Sequence, residues 1–288
     1  VNIDFKEKTY EKYFSNEIAR LTDTTFSPDQ VDEGLLGFDD AFLVPIDWLR
    51  AHAFYFRASR GARMSGIRIQ DHADLIAEFE HRMPPFHFNL FVQYKRPEYV
   101  RSHSALEWPN WRTAYFRYRI TPHQQTLLDE LDGRARGRAA TVYASPAFWK
   151  ATDLWARVKN STIVASSNIA CVARLRGHGH YTYRDAGSRG LGHSETSEIS
   201  SPSLNEIIAT GRSSGEPLPL SQHLKLTAKL IAEVIDESDS HSRALYSMVR
   251  ELRDRPDLPA NSLAAALLTI EAFSKAFDVA LFPVPSEP

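Results

Sequence analysis

Two short stretches carry residues whose types and spacing could do chemistry together. Asp39 and Asp40 open an apolar run that continues Ala41-Phe42-Leu43-Val44-Pro45, and Gln93 and Lys95 close another, Phe86-His87-Phe88-Asn89-Leu90-Phe91-Val92-Gln93-Tyr94-Lys95. Carboxylates on one strand and Gln-x-Lys on the next form a set suited to metal-assisted phosphodiester hydrolysis. The carboxylates hold a hard divalent cation, and Gln93 offers a carbonyl oxygen to that cation or an amide to a phosphate. Lys95 orients the attacking water or helps to deprotonate it. Side chains two apart on a strand share a face, so Gln93 and Lys95 would point together. A lysine ending an apolar strand is costly unless something anionic meets it there. The plainer alternative is a strand that has reached the surface with Lys95 solvated.

On these residues the chain resembles the PD-(D/E)XK, or restriction-endonuclease-like, nucleases. Gly37-Phe38-Asp39-Asp40 before apolar residues, then Val92-Gln93-Tyr94-Lys95, is similar to the variant with Gln in place of the commoner acid. The replacement removes one charge from the metal site. The resemblance covers about the first half of the chain and aligns on either Asp39 or Asp40. It implies a mixed α/β sheet flanked by helices, Mg²⁺ or Mn²⁺ as cofactor, and hydrolysis of nucleic acid, DNA above all, in defence, restriction or repair. Asp39, Asp40 and Gln93 would hold the metal and Lys95 would be catalytic. The helix Glu of the family maps onto Glu17, with Glu33 as competitor, and its supporting Gln onto Gln124 or Gln125.

The elements that must position these residues follow from local pattern. Residues 9–21 place Tyr10, Tyr13, Phe14, Ile18 and Leu21 at helical spacing. Residues 22–30 read as a loop leading to a helix start. The run 86–92 is aromatic and β-branched, as a buried strand requires. Residues 46–83 form an insertion with helices at 47–59 and 73–82. Residues 112–120 alternate as a strand, Thr121 and Pro122 open a helix, and residues 139–145 form another buried strand. That order predicts a βαβ unit with parallel members. A further strand is expected at 161–166, and residues 174–200, rich in Gly, His and Ser, as a loop over the sheet. Beyond 203 four helices are expected, at 204–211, 222–237, 241–253 and 260–277. The reading gives an α/β nuclease-like domain over 1–200 and a helical C-terminal region or cap over 201–288.

The 288 residues are 43% hydrophobic and 24% charged, enough for a substantial core. The net charge of -2 excludes a uniformly basic coat. Between Pro45 and Ile120, however, twelve Lys and Arg face seven Asp and Glu. Of these, Arg57, Arg60, Arg63, Arg96 and Arg101 are candidates for contacting a phosphate backbone. The single Cys171 excludes an intrachain disulfide and reads as a core residue. No apolar run matches a membrane span, and a cytoplasmic protein is expected. The helical C-terminal region could serve a homo-oligomer or a partner protein. Two other readings compete: a catalytically weak nucleic-acid or protein-interaction module on the same fold, and a hydrolase using His178, His180 and His193.

Overall fold

The computed structural model describes residues 2–22, 25–26, 42–43, 73, 76–77, 80–235, 247 and 261–286. In chain order its elements are α1 (Glu7–Thr22), β1 (Thr25–Phe26), β2 (Phe42–Leu43), β3 (Phe86–Tyr94), β4 (Glu98–Val100), α2 (Trp108–Trp111), β5 (Tyr115–Arg119), α3 (Pro122–Ala135), β6 (Ala139–Pro146), α4 (Ala151–Asn160), β7 (Ser167–Cys171), β8 (His180–Tyr183), β9 (Arg189–His193), β10 (Ser197–Ser200), α5 (Leu204–Arg212), α6 (Leu220–Val234), α7 (Leu263–Phe277) and β11 (Val279–Pro285). The architecture is mixed α/β with two sheets. No helix among the described residues is long and apolar enough to cross a membrane.

The chain divides into two compact units, Val1–Leu21 with Leu90–Thr210 and Thr22–Asn89 with Gly211–Pro288. The expected boundary at 200 falls inside the first unit. Strand β3 runs through both, and all its residues but His87 are buried, which is why its sequence is apolar on both faces.

In the first unit β3 is followed in its sheet by β6 and β7, and the second sheet has the order β10-β9-β8-β5-β4. The strand–helix–strand run β5–α3–β6 is therefore not a crossover within one sheet, because β5 and β6 belong to different sheets. The parallel unit expected from the sequence is thereby corrected; local pattern cannot tell which sheet a strand joins. Thr121 occupies the N-cap of α3 in an extended conformation, with Pro122 in the first turn, but its hydroxyl makes no cap bond. The core of this unit is built on tyrosines, with Tyr10, Tyr94, Tyr115, Tyr143, Tyr181 and Tyr183 all under 2% exposed or at that limit. Their hydroxyls find partners inside: Tyr10 donates to Ser167 Oγ at 2.7 Å, Tyr181 to Asn168 Oδ1 at 3.2 Å and Tyr183 to Ser145 Oγ at 2.7 Å.

Residues 174–200 correct the expected loop: they form the antiparallel meander β8-β9-β10. The glycines that suggested a loop are there to admit rings. A Cβ on Gly190 would stand 2.5 Å from the Tyr181 ring, and one on Gly192 would stand 2.6 Å from His178. The strand expected at 161–166 lies a few residues later, at β7, with Val164–Ser166 forming a 3₁₀ turn.

In the second unit the order is β2-β1-β11-β3. Strand β2 falls in the run expected after Asp40, and β1 in a stretch read as loop. Ala73, Ile76 and Ala77, within the expected 73–82 helix, are helical. Helix α6 packs on α7 through buried Leu224, Ile231, Leu267, Ile270 and Phe273. Ser262 caps α7 by accepting from Ala265 N at 3.1 Å. The C-terminal region expected to be wholly helical ends in β11, which takes a place beside β3.

Candidate functional site

The end of β3 is clamped to β6. Lys95 N donates to Ala144 O at 2.9 Å, and Ser145 Oγ donates to Lys95 O at 3.0 Å. Gln93, two residues earlier, is buried, and Lys95 is half-buried. The Lys95 ammonium donates to Gln124 Oε1 at 3.3 Å and lies 5.0 Å from the centroid of the Tyr143 ring. Gln124 stands in the first turn of α3, and its neighbour Gln125 locks that turn in place. Gln125 Nε2 donates to Val172 O at 2.7 Å, while Tyr143 Oη donates to Gln125 Oε1 at 2.9 Å. Burial pushes the Tyr143 phenol well above its ordinary range, with the charge of Asp129 adding to the effect. It stays protonated and keeps that hydrogen bond at working pH. The result is a cation held at a fixed place by an amide oxygen and an aromatic face.

The remaining expected site residues are distributed as follows. Asp39, Asp40, Arg57, Arg60 and Arg63 lie outside the described residues, as does Glu33. The strand following Asp40 is expected to neighbour β3; β2 lies in the same sheet as β3, but β1 and β11 stand between them. The reason is the C-terminal strand, which occupies the position beside β3. Glu17 Oε2 accepts from Ile163 N at 2.7 Å, and so ties α1 to the segment before β7. Arg96 Nη2 donates to Ile3 O at 2.7 Å, and its backbone N–H donates to Glu7. Arg101 lies over Tyr99 and Trp149. Cys171 is half-buried and its thiol is pushed up by burial.

A polar cluster that sequence reasoning missed centres on Glu107. This carboxylate is buried and accepts from Tyr115 Oη at 2.8 Å and from Arg117 Nη1 at 3.1 Å. Arg117 also donates through Nη2 to Glu98 Oε2 at 2.7 Å. Burial alone would raise the Glu107 carboxyl, but hydrogen bonds from Tyr115 and Arg117 and the attraction of Arg117 hold it below the usual range. The signal available in the sequence was Tyr115 and Arg117 two apart on one strand; the partner Glu107 lies on the loop before α2.

The three histidines are each engaged with hydroxyls or a neighbouring strand. His180 and His193 face each other across β8 and β9. His193 Nε2 lies 2.8 Å from Thr182 Oγ1 and Nδ1 lies 3.3 Å from Thr196 Oγ1, while His178 Nε2 lies 3.2 Å from Ser197 Oγ. Burial lowers the His193 pKa, opposed by Glu107 and assisted by His178, His180 and Arg117. Among the described residues no three His, Cys, Asp or Glu are grouped to hold a metal ion. No family model, no curated protein and no solved structure matches this chain.

Proposed function

We propose that the protein is a metal-dependent nuclease of the restriction-endonuclease-like class, hydrolysing phosphodiester bonds, with DNA as substrate. The observation that supports this reading best is Lys95 at the end of β3, held by Gln124 and Tyr143 two residues after buried Gln93. A hard cation of the Mg²⁺ or Mn²⁺ kind takes oxygen donors, and Gln93 Oε1 is one such donor. The others would come from Asp39 and Asp40. When bound, the metal would stabilise charge on the phosphoryl oxygens and lower the pKa of water. Lys95 would orient the attacking water and offset the negative charge that grows on the phosphorane. Gln124 would fix the lysine's direction. Glu17, spent on Ile163 N, would support the helix rather than the metal.

The strand order favours a second reading, a binding module without turnover, because two strands separate β2 from β3. One experiment divides them. Wild type and Lys95→Ala are incubated with plasmid DNA, linear DNA and RNA, with Mg²⁺, with Mn²⁺ and with EDTA. The nuclease reading expects metal-dependent cutting by wild type, reduced about 10²–10⁴-fold by the substitution. Equal rates for the two proteins on every substrate would leave the binding module.

A further inference from the structure

Away from Lys95, the first unit carries a second cationic feature. Tyr99 and Trp149 stack with ring centroids 5.4 Å apart and planes inclined by 12°. Arg101 lies 5.5 Å from the Trp149 centroid and 6.0 Å from that of Tyr99, and Lys150 lies 5.1 Å from Trp149. Both rings are half-buried and both cations exposed. The rings are held from behind: Tyr99 pairs with Phe116 across β4 and β5, with ring centroids 4.9 Å apart, and Trp149 O accepts from Asp4 N at 2.9 Å. Among the described residues neither Arg101 nor Lys150 is paired with a carboxylate, unlike Arg117, which binds two.

We infer that Tyr99, Trp149, Arg101 and Lys150 form a binding platform for single-stranded nucleic acid. The exposed Arg101 and Lys150, which lie over these rings, can turn outward to the flanking phosphates, and the Trp149 face they uncover accepts an unpaired base by stacking, whatever its identity. Cations alone would suit any polyanion, and rings alone any apolar surface. Their combination at one place fits a chain that alternates flat π-faces with single negative charges. The choice of ligand rests on the nuclease reading and narrows it, assigning unpaired strands to this surface.

The test measures binding of the full chain in EDTA, so that it does not depend on turnover. Labelled oligothymidylate and oligouridylate of about a dozen nucleotides, an abasic chain of equal length and a duplex are titrated by fluorescence anisotropy. Trp149→Leu should weaken oligothymidylate binding roughly 5- to 150-fold, the range of one lost stacked base. Trp149→Phe, which keeps a ring and guards against a folding defect, should retain most of the affinity. Arg101→Gln with Lys150→Gln should lower the salt slope by about 1.4, since single strands contribute about 0.7 for each phosphate. The abasic chain and the duplex should bind wild type more weakly than oligothymidylate does. Oligothymidylate against oligouridylate decides DNA or RNA within the same chemistry. Trp149→Leu binding like wild type would overturn the platform, as would an abasic chain binding equally well or displacement by polyglutamate. Cutting by wild type with unaltered Trp149→Leu binding would remove the platform and keep the nuclease. Platform-dependent binding with no metal-dependent cutting would do the reverse.

Discussion

Lys95 and Arg117 are both half-buried cations of the first unit, and their surroundings differ. Arg117 is gripped by two carboxylates, Glu107 at 3.1 Å and Glu98 at 2.7 Å. Lys95 meets a neutral amide and the face of a phenol. A carboxylate pair cancels the charge of an arginine and spends it on holding the strands β4 and β5 to the loop before α2. An amide oxygen orients an ammonium but, unlike a carboxylate, brings no opposite charge of its own. The first arrangement serves the fold; the second can serve chemistry.

The largest effect should separate the two. If the protein is the nuclease proposed above, Lys95→Ala should cut turnover about 10²–10⁴-fold with little change in DNA affinity or melting temperature. Unfolding of this variant by denaturant at or near the wild-type midpoint would confirm that Lys95 does not hold the fold. Glu107→Gln should do the opposite, costing about 1–3 kcal/mol of stability while leaving turnover alone. The sign of its pH dependence follows from the depressed carboxyl. The stabilisation is complete above the unfolded carboxyl's pKa and is lost as pH falls through the lower folded value. The wild type–Glu107→Gln gap should therefore be widest near neutrality and close below the ordinary carboxylate range; a gap that widens in acid would contradict the assignment.

Smaller effects sharpen the comparison. Gln124→Ala removes the oxygen that orients Lys95 and should lower turnover roughly fivefold, the equivalent of about 1 kcal/mol. Its KM should stay near wild type, since binding is not what the amide controls. Glu98→Gln should change stability by less than about 1 kcal/mol, because the Glu98 side chain is 55% exposed and its pair with Arg117 is screened. Raising the salt concentration should erase that difference, while the Glu107→Gln gap should persist.

How much of this could be read in the chain varies by element. Strand β3 was legible because burial puts apolar residues on both its faces, and α1 and α3 because one buried face writes a helical period. The meander β8-β9-β10 was not, since Gly190 and Gly192 are set by the Tyr181 and His178 rings that lie against them. Strand β11 was hidden by Pro283 and Pro285, which local rules count against a strand. Of the candidate site, Gln93, Lys95 and the Gln pair at 124–125 could be singled out by type and spacing. Glu107 could not, because a lone acid in a loop looks like any solvated residue. Nor could the Tyr99–Trp149 stack, whose members are fifty residues apart.

What the sequence determined by itself is local: where apolar periodicity starts and stops, which polar residue ends which strand, and that Lys95 follows Gln93 at strand spacing. Backbone sterics and side-chain burial act over a few residues, so their pattern survives in one dimension. What only the tertiary structure decided is pairing. It assigned β5 and β6 to different sheets, seated β11 beside β3, gave Glu17 to Ile163 and set Arg117 between Glu98 and Glu107. These outcomes depend on contacts between residues distant in the chain, whose free energies are set by burial and geometry that no single segment contains.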